Sequence, residues 1–257
     1  MKQQLRISVR DLVEFLERSG DLDSRSGRGG DAKIMQAGSR LHRKIQGRMG
    51  SGYHAEVPLK YRKEWERFSL IEGRADGIWT EEAFTTIDEI KGTFREVDRM
   101  TEPMRVHLAQ ARCYAYIYSE QNQLDKAGVR MVYANLETED VRYFTENWEW
   151  PVLKAWFDDL MERYYRWLSF QADWTEQREA SLKKLVFPYE YREGQRELAA
   201  GVYRSILRKK RLFIQAPTGV GKTLSALFPA LKAVGEGLGD KIFYLTARTI
   251  TRMVAAD

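Results

Sequence analysis

Residues 73–91 read GRADGIWTEEAFTTIDEIK, and how this stretch pairs with itself decides the fold. Two runs rich in β-branched and aromatic residues, GRADGIW and AFTTIDEIK, flank the polar Thr80-Glu81-Glu82, which predicts a hairpin. With Trp79 and Phe84 flanking the turn, Asp76 falls opposite Ile87. Glu89 and Lys91 then share the face of Asp76, because side chains alternate with period two along a strand. A slip of one residue would send Asp76 to the other face, so the register matters. Asp88 points the opposite way by the same parity.

Two carboxylates beside an ammonium suit phosphodiester hydrolysis. Their oxygens are hard ligands for Mg²⁺ or Mn²⁺, and a lysine beside the cation can orient water or stabilise developing charge. A surface hairpin with a merely charged outer face would show the same three residues, so the surroundings must decide. Downstream, Gln110 and Tyr114 stand four apart on a helical pattern and share a face. Upstream, His42 borders an apolar stripe of Ile34, Gly38, Leu41 and Ile45.

In order and spacing, Gly38–His42 (GxxxH), Gly73–Ile78 (GRADGI), Glu89–Lys91 (EIK) and Gln110–Tyr114 (QARCY) together resemble the PD-(D/E)xK nuclease superfamily, in its RecB-like branch. The resemblance implies His42, Asp76 and Glu89 as ligands of Mg²⁺ or Mn²⁺. It implies Asp76, Glu89 and Lys91 as the catalytic set, with Gln110 and Tyr114 contacting DNA near the site. It also implies a restriction-endonuclease-like mixed sheet flanked by helices.

The 257 residues allow one large or two ordinary domains, and 43% hydrophobic with 12% aromatic content argues for a folded chain over a disordered one. A formal charge of +5 fits a nucleic-acid partner without requiring one. The single cysteine, Cys113, rules out an intramolecular disulfide, points to a reducing setting, and excludes the four-cysteine iron–sulfur cluster that some RecB-like nucleases carry. No apolar run reaches the length of a membrane span and no signal-peptide core is present, so a cytoplasmic protein without membrane contact is expected.

Along the chain, Ser8 and Asp11 predict a capped helix over Val9–Arg18, and a Gly/Ser-rich loop carrying Arg25 and Arg28 follows. HAEVPLKYR predicts a strand before the hairpin, and GVRMVYANLET one after the Gln110 helix, which Thr101 and Pro103 would start. An aromatic helix is expected from Trp148 to Phe170, with Val152, Trp156, Leu160, Tyr164 and Trp167 or Leu168 on its buried stripe. The charged WTEQREASLKKL then links to a second domain, so the chain is expected to divide into 1–186 and 187–257.

In that second part RLFIQAPTGVGKT reads as a strand, a glycine-containing loop and a helix start. Ala216–Thr223 fits the P-loop pattern with Ala in the first glycine position. Gly219 and Gly221 would let backbone N–H groups wrap phosphates, Lys222 would reach the outer phosphates, and Thr223 would ligate Mg²⁺ beside ATP. FPYEYREGQ before it and the predicted strand KIFYLTAR after it resemble the Q-motif and first DNA-contacting motif of superfamily 2 helicases, in the DinG/XPD branch. That implies Gln195 reading adenine and Thr246 and Arg248 touching the DNA backbone. No acidic Walker B strand follows Lys241, so an incomplete RecA-like domain is expected, in a fragment of a longer nuclease–helicase. The implied partner is DNA, single-stranded or at duplex ends. The alternative is a nuclease-like module that binds DNA without cutting it and serves an ATP-driven translocase.

Overall fold

The computed structural model describes residues 5–20, 32–63, 69–82, 84–217 and 219–246. The chain divides into two compact units, Met1–Tyr165 and Arg166–Asp257.

The first unit is a mixed α/β layer structure. Its elements run β1 (Leu5–Ser8), α1 (Val9–Glu17), α2 (Ala32–Gln46), β2 (Tyr53–Lys63), β3 (Ser69–Glu81), β4 (Phe84–Thr93), α3 (Arg105–Asn122), β5 (Lys126–Asn135), β6 (Val141–Glu149) and the start of α4 (Trp150–Lys184). Six strands form one sheet in the order β1-β3-β4-β5-β6, with β2 also paired to β3. β2 runs antiparallel to β3 from Lys63↔Ser69 to Tyr53↔Trp79 and so takes one whole edge of it. The other edge is shared. β1 pairs in parallel with Ser69–Glu72, and β4 pairs antiparallel with Gly77–Glu81. Between them, residues 73–76 face a fork where neither neighbour is paired.

The hairpin register differs from the expected one. Glu81↔Phe84 and Thr80↔Thr85 are partners, where Trp79 and Phe84 were expected to flank the turn. The loop closes tighter because Glu82 adopts φ 52°, in the left-handed region, and the Thr80 and Thr85 hydroxyls lie 3.2 Å apart across the strands. The shift is two residues, so parity survives. Continuing the pairing beyond Gly77↔Asp88 sets Asp76 across from Glu89 instead of Ile87.

Helices cover both faces. α2 packs Leu41 and Ile45 onto Ile90, Val132 and Ala134. α3 lies on the other face, against β4 and β5, toward which Glu89 and Lys91 turn. Burying apolar side chains such as Ile90 and Val132, both fully enclosed, contributes roughly 2 kcal/mol each. Ser8 caps α1 as its spacing predicts, accepting the Asp11 N–H at 3.0 Å. α3 begins later than expected: Met104 is its N-cap with no side-chain cap, so neither Thr101 nor Pro103 starts it.

α4 opens at Trp150 and continues through the expected linker to Lys184. In the first unit its buried side chains are Leu153, Phe157, Leu160, Met161 and Tyr164, with Val152 exposed. The stripe is rotated from the expected one because Phe157 stacks on Tyr116 at 3.9 Å between centroids and fixes the helix's roll.

In the second unit, α5 (Gln195–Leu207) and α6 (Lys222–Gly235) pack on each other. The predicted strands at 211–217 and 241–246 form no β-ladder among the described residues. Phe213, Phe243 and Leu245 are exposed there, whereas strands of a parallel sheet bury both faces. No helix among the described residues is long and apolar enough to cross a membrane.

Candidate functional site

The fork in β3 brings six of the residues singled out by spacing into one place. Asp76 stands where β4 leaves β3. Its Oδ2 accepts the Ile90 N–H at 2.7 Å, so a side chain takes over where the backbone ladder stops. Glu89 follows on the same face and is only 1% exposed. Lys91 Nζ donates to Glu89 Oε1 at 2.6 Å and to Gln110 Oε1 at 3.3 Å, and Gln110 Nε2 reaches the Tyr114 hydroxyl at 3.4 Å. From α2, His42 Nδ1 lies 3.9 Å from Asp76 Oδ1.

Glycine is required beside this chain of contacts. A Cβ at Gly73 would lie 2.6 Å from Tyr114 Cε1 and 2.7 Å from its hydroxyl, so only a bare backbone lets the tyrosine cross the strand there.

Burial sets the electrostatics. It pushes the Glu89 carboxyl up to about 8, against the pull of Lys91, with the Asp76 charge adding to the rise. Burial likewise raises Asp76, against the Ile90 N–H, His42 and Lys91. Tyr114 is pushed up to about 12, again chiefly by burial, so it remains a neutral hydroxyl. Among the described residues, Glu89 Oε2 has no hydrogen-bond partner. A buried carboxylate oxygen without a donor is costly, and a cation supplied from outside would satisfy it.

The donor set fits a divalent cation. Carboxylates and an imidazole are ligands that Mn²⁺ accepts, and the carboxylates alone suit Mg²⁺. His42 and Asp76 form a three-residue group whose ligand atoms all lie within 4.8 Å of one another, and its third member is Glu56, not Glu89. Sequence reasoning missed Glu56. The signal that could have found it is the β2–β3 pairing, which sets Glu56 across from Asp76 between Ala55↔Gly77 and Val57↔Ala75.

On the opposite face of β4, Asp88 is fully buried and takes Arg130 through both oxygens, at 2.9 and 2.7 Å. His107, on α3, is pressed down to about 4 by burial, with Lys91 adding to the effect. Its Nδ1 lies 2.9 Å from the Tyr133 hydroxyl, which also accepts the Met104 N–H.

The second unit carries the P-loop residues. Gly219 and Gly221 have φ of 90° and 79°, and Gly221 is the N-cap of α6. The positive φ at both positions favours glycine. Lys222 Nζ donates to the Ala216 and Pro217 carbonyls at 2.9 and 2.6 Å, folded back over the loop in which a phosphate would sit. Thr223 Oγ1 is 3.3 Å from the Tyr244 hydroxyl. Gln195, 4% exposed, accepts the Arg192 N–H at 3.0 Å through Oε1, and the Arg192 guanidinium donates to the Gly219 carbonyl. Gln195 thus braces the loop from the start of α5. Arg248, with Arg25 and Arg28, lies outside the described residues.

Residues 196–250 match the DEAD/DEAH box helicase family. The probable ATP-dependent helicase MJ0942 of Methanocaldococcus jannaschii is 50% identical over 49 residues, which are 19% of this chain and 8% of that protein, so the match spans a small part of the relative's length. Among solved structures, the crystal structure of SSO0001 is similar with a TM-score of 0.41 and 19% identity, over 63% of this chain and 78% of that one. The part of the chain that carries the P-loop is a helicase-like region.

Proposed function

We propose that the first unit is a metal-dependent DNA nuclease of the PD-(D/E)xK kind with a restriction-endonuclease-like sheet, joined to the first part of an ATP-dependent DinG/XPD-like helicase motor. The observation that carries this reading is Glu89: a buried carboxylate with one oxygen on Lys91 and the other without a donor among the described residues, across the fork from Asp76. A structural ion pair has no need of an orphaned oxygen. A cation site does.

Mg²⁺ or Mn²⁺ bound there would supply an activated water and neutralise charge on a phosphodiester. His42, Asp76 and Glu89 would hold it. Asp76 keeps Oδ1 toward His42 while Ile90 occupies Oδ2, so the carboxylate enters preorganised. Lys91, held between Glu89 and Gln110, presents its ammonium to the attacking water or to the charge that develops on the scissile phosphate. Gln110 and Tyr114, 8% and 3% exposed, would back Lys91 at the place where a strand of DNA enters, and the closure of Tyr114 over Gly73 keeps them fixed.

In the helicase-like region, Gly219, Gly221, Lys222 and Thr223 would bind the phosphates of ATP with Mg²⁺, and Gln195 would recognise adenine. Lys222 must then leave the Ala216 and Pro217 carbonyls for the incoming phosphates. Domain limits of 1–186 and 187–257, a cytoplasmic setting and DNA contacts at Thr246 and Arg248 belong to the same reading.

The test is direct. End-labelled single- and double-stranded DNA are incubated with the protein in Mn²⁺ and in EDTA, beside Glu89→Ala and Lys91→Ala. Cleavage in Mn²⁺ by the wild type alone is expected. Equal DNA loss in all three proteins, or none in any, overturns the catalytic reading.

A further inference from the structure

We infer that Glu56, which none of the motifs above includes, is a further ligand of a divalent cation held by His42 and Asp76. The inference rests on the metal-dependent reading above and adds a ligand to it. Each of the three residues offers one ligand atom, and these atoms lie within 4.8 Å of one another. One imidazole nitrogen and two carboxylate oxygens form a donor set that Mn²⁺ accepts, and two carboxylates balance its charge.

The backbone singles out the same residue. Glu56 has φ 57° in the interior of β2, where no turn is made: the pairing runs Ala55↔Gly77, then Val57↔Ala75, with unchanged register on either side. A left-handed residue other than glycine is disfavoured inside a strand, and such strain persists where the surroundings impose it. It falls directly across from Asp76. Pairing on both sides of β3 is therefore interrupted at one place, on β2 for the single residue Glu56 and on β4 beyond Gly77↔Asp88.

The surroundings hold Glu56 in position. Gln46 follows His42 by one helical turn on α2 and donates through Nε2 to Glu56 Oε1 at 3.1 Å and to the Asp76 carbonyl at 2.9 Å. One helix thus supplies a ligand and the group that orients a second. Arg74 Nε sits 2.7 Å from Glu56 Oε2. Asp76 Oδ1 faces His42, its other oxygen being committed to Ile90.

A second observation points to a ligand independently of the cluster. Glu89, 1% exposed, keeps Oε2 unpartnered on the face it shares with Asp76, close enough to feel the charges of Asp76 and Glu56. Lys91 pairs with Glu89 and Arg74 with Glu56, so when all three carboxylates are ionised one negative charge is left over at the fork, which a divalent cation offsets.

Electron paramagnetic resonance of free Mn²⁺, titrated into the whole chain, reads affinity without any need for activity. Glu56→Gln keeps the size of the side chain and is expected to weaken Mn²⁺ binding at least about tenfold, with Tm unchanged. Glu56→Gly, which suits φ 57°, is expected to weaken binding equally while raising Tm. That pairing separates ligand loss from misfolding. Binding by Glu56→Gln within twofold of wild type, with binding lost in Asp76→Asn, overturns the role of Glu56 and leaves the nuclease reading standing. No Mn²⁺ binding by the wild type at millimolar concentration overturns both.

Discussion

Asp88 and Glu89 are consecutive on β4, equally buried, and turned to opposite faces of the sheet. Asp88 meets Arg130 in a two-pronged pair, and the guanidinium lies over the rings of Trp79 and Tyr143 at 5.1 and 5.5 Å. Among the described residues Glu89 meets a single lysine, and its second oxygen is left with no donor. The same cost of burying a carboxylate is offset within the protein on one side and left open on the other. Closed networks stabilise, whereas open ones await a ligand.

The largest expected break in this comparison comes from Asp88→Ala. It strands a mostly buried guanidinium and should cost about 3–5 kcal/mol in chemical denaturation. Replacing both partners, Asp88→Leu with Arg130→Met, should restore most of that loss, because the pair serves the fold and not the chemistry.

Glu89→Gln should act in the reverse direction. A carboxyl whose folded pKa stands at about 8 contributes stability that is fully present below its unfolded value and lost as pH rises through 8. Metal-free wild type should therefore weaken across that window, and Glu89→Gln should flatten the profile while abolishing Mn²⁺-dependent cleavage. Urea midpoints measured between pH 5 and pH 8.5 check this.

His107 gives the smaller effect, with the opposite sign. Its folded pKa near 4 lies below the ordinary histidine value, so its contribution is present at neutral pH and lost as pH falls through 4. His107→Gln should abolish this acid-side loss, on the order of 3 kcal/mol between pH 7 and pH 4, read by urea midpoints at the two pH values.

Much of the site was legible because it is written in spacing. His42 one turn after Gly38, Asp76 and Glu89 of equal parity, and Gln110 one turn before Tyr114 are local relations that pairing or winding preserves. The hairpin register was off by two residues, yet the face of each side chain held, since parity is insensitive to an even shift. Glu56 was illegible because its place depends on β2 pairing across to β3, twenty residues away, and on a positive φ that no residue type there announces. The partner of Asp88 was hidden likewise, with Arg130 on a strand that follows an entire helix.

The fold's edges were less legible still. β1 is four residues long, and β6 alternates between exposed and half-buried positions, so neither carries an apolar signature. At 211–217 and 241–246 the composition predicted strands that form no ladder among the described residues. β-propensity expresses fitness for a pleated, partly buried surface, and Phe213 and Leu245 lie exposed.

The central claim is that the open carboxylate at the fork is completed by a divalent cation, and thermal unfolding at pH 8 with and without Mn²⁺ tests it most directly. For a cation in about hundredfold excess over its Kd, linkage supplies roughly 2.7 kcal/mol. In a unit of this size that shifts Tm by about 5–10 °C. The account predicts that rise in the wild type and in Arg130→Lys, and its absence in Glu89→Gln and Asp76→Asn. An equal Tm with and without Mn²⁺ in the wild type, or an equal rise in all four proteins, would contradict it.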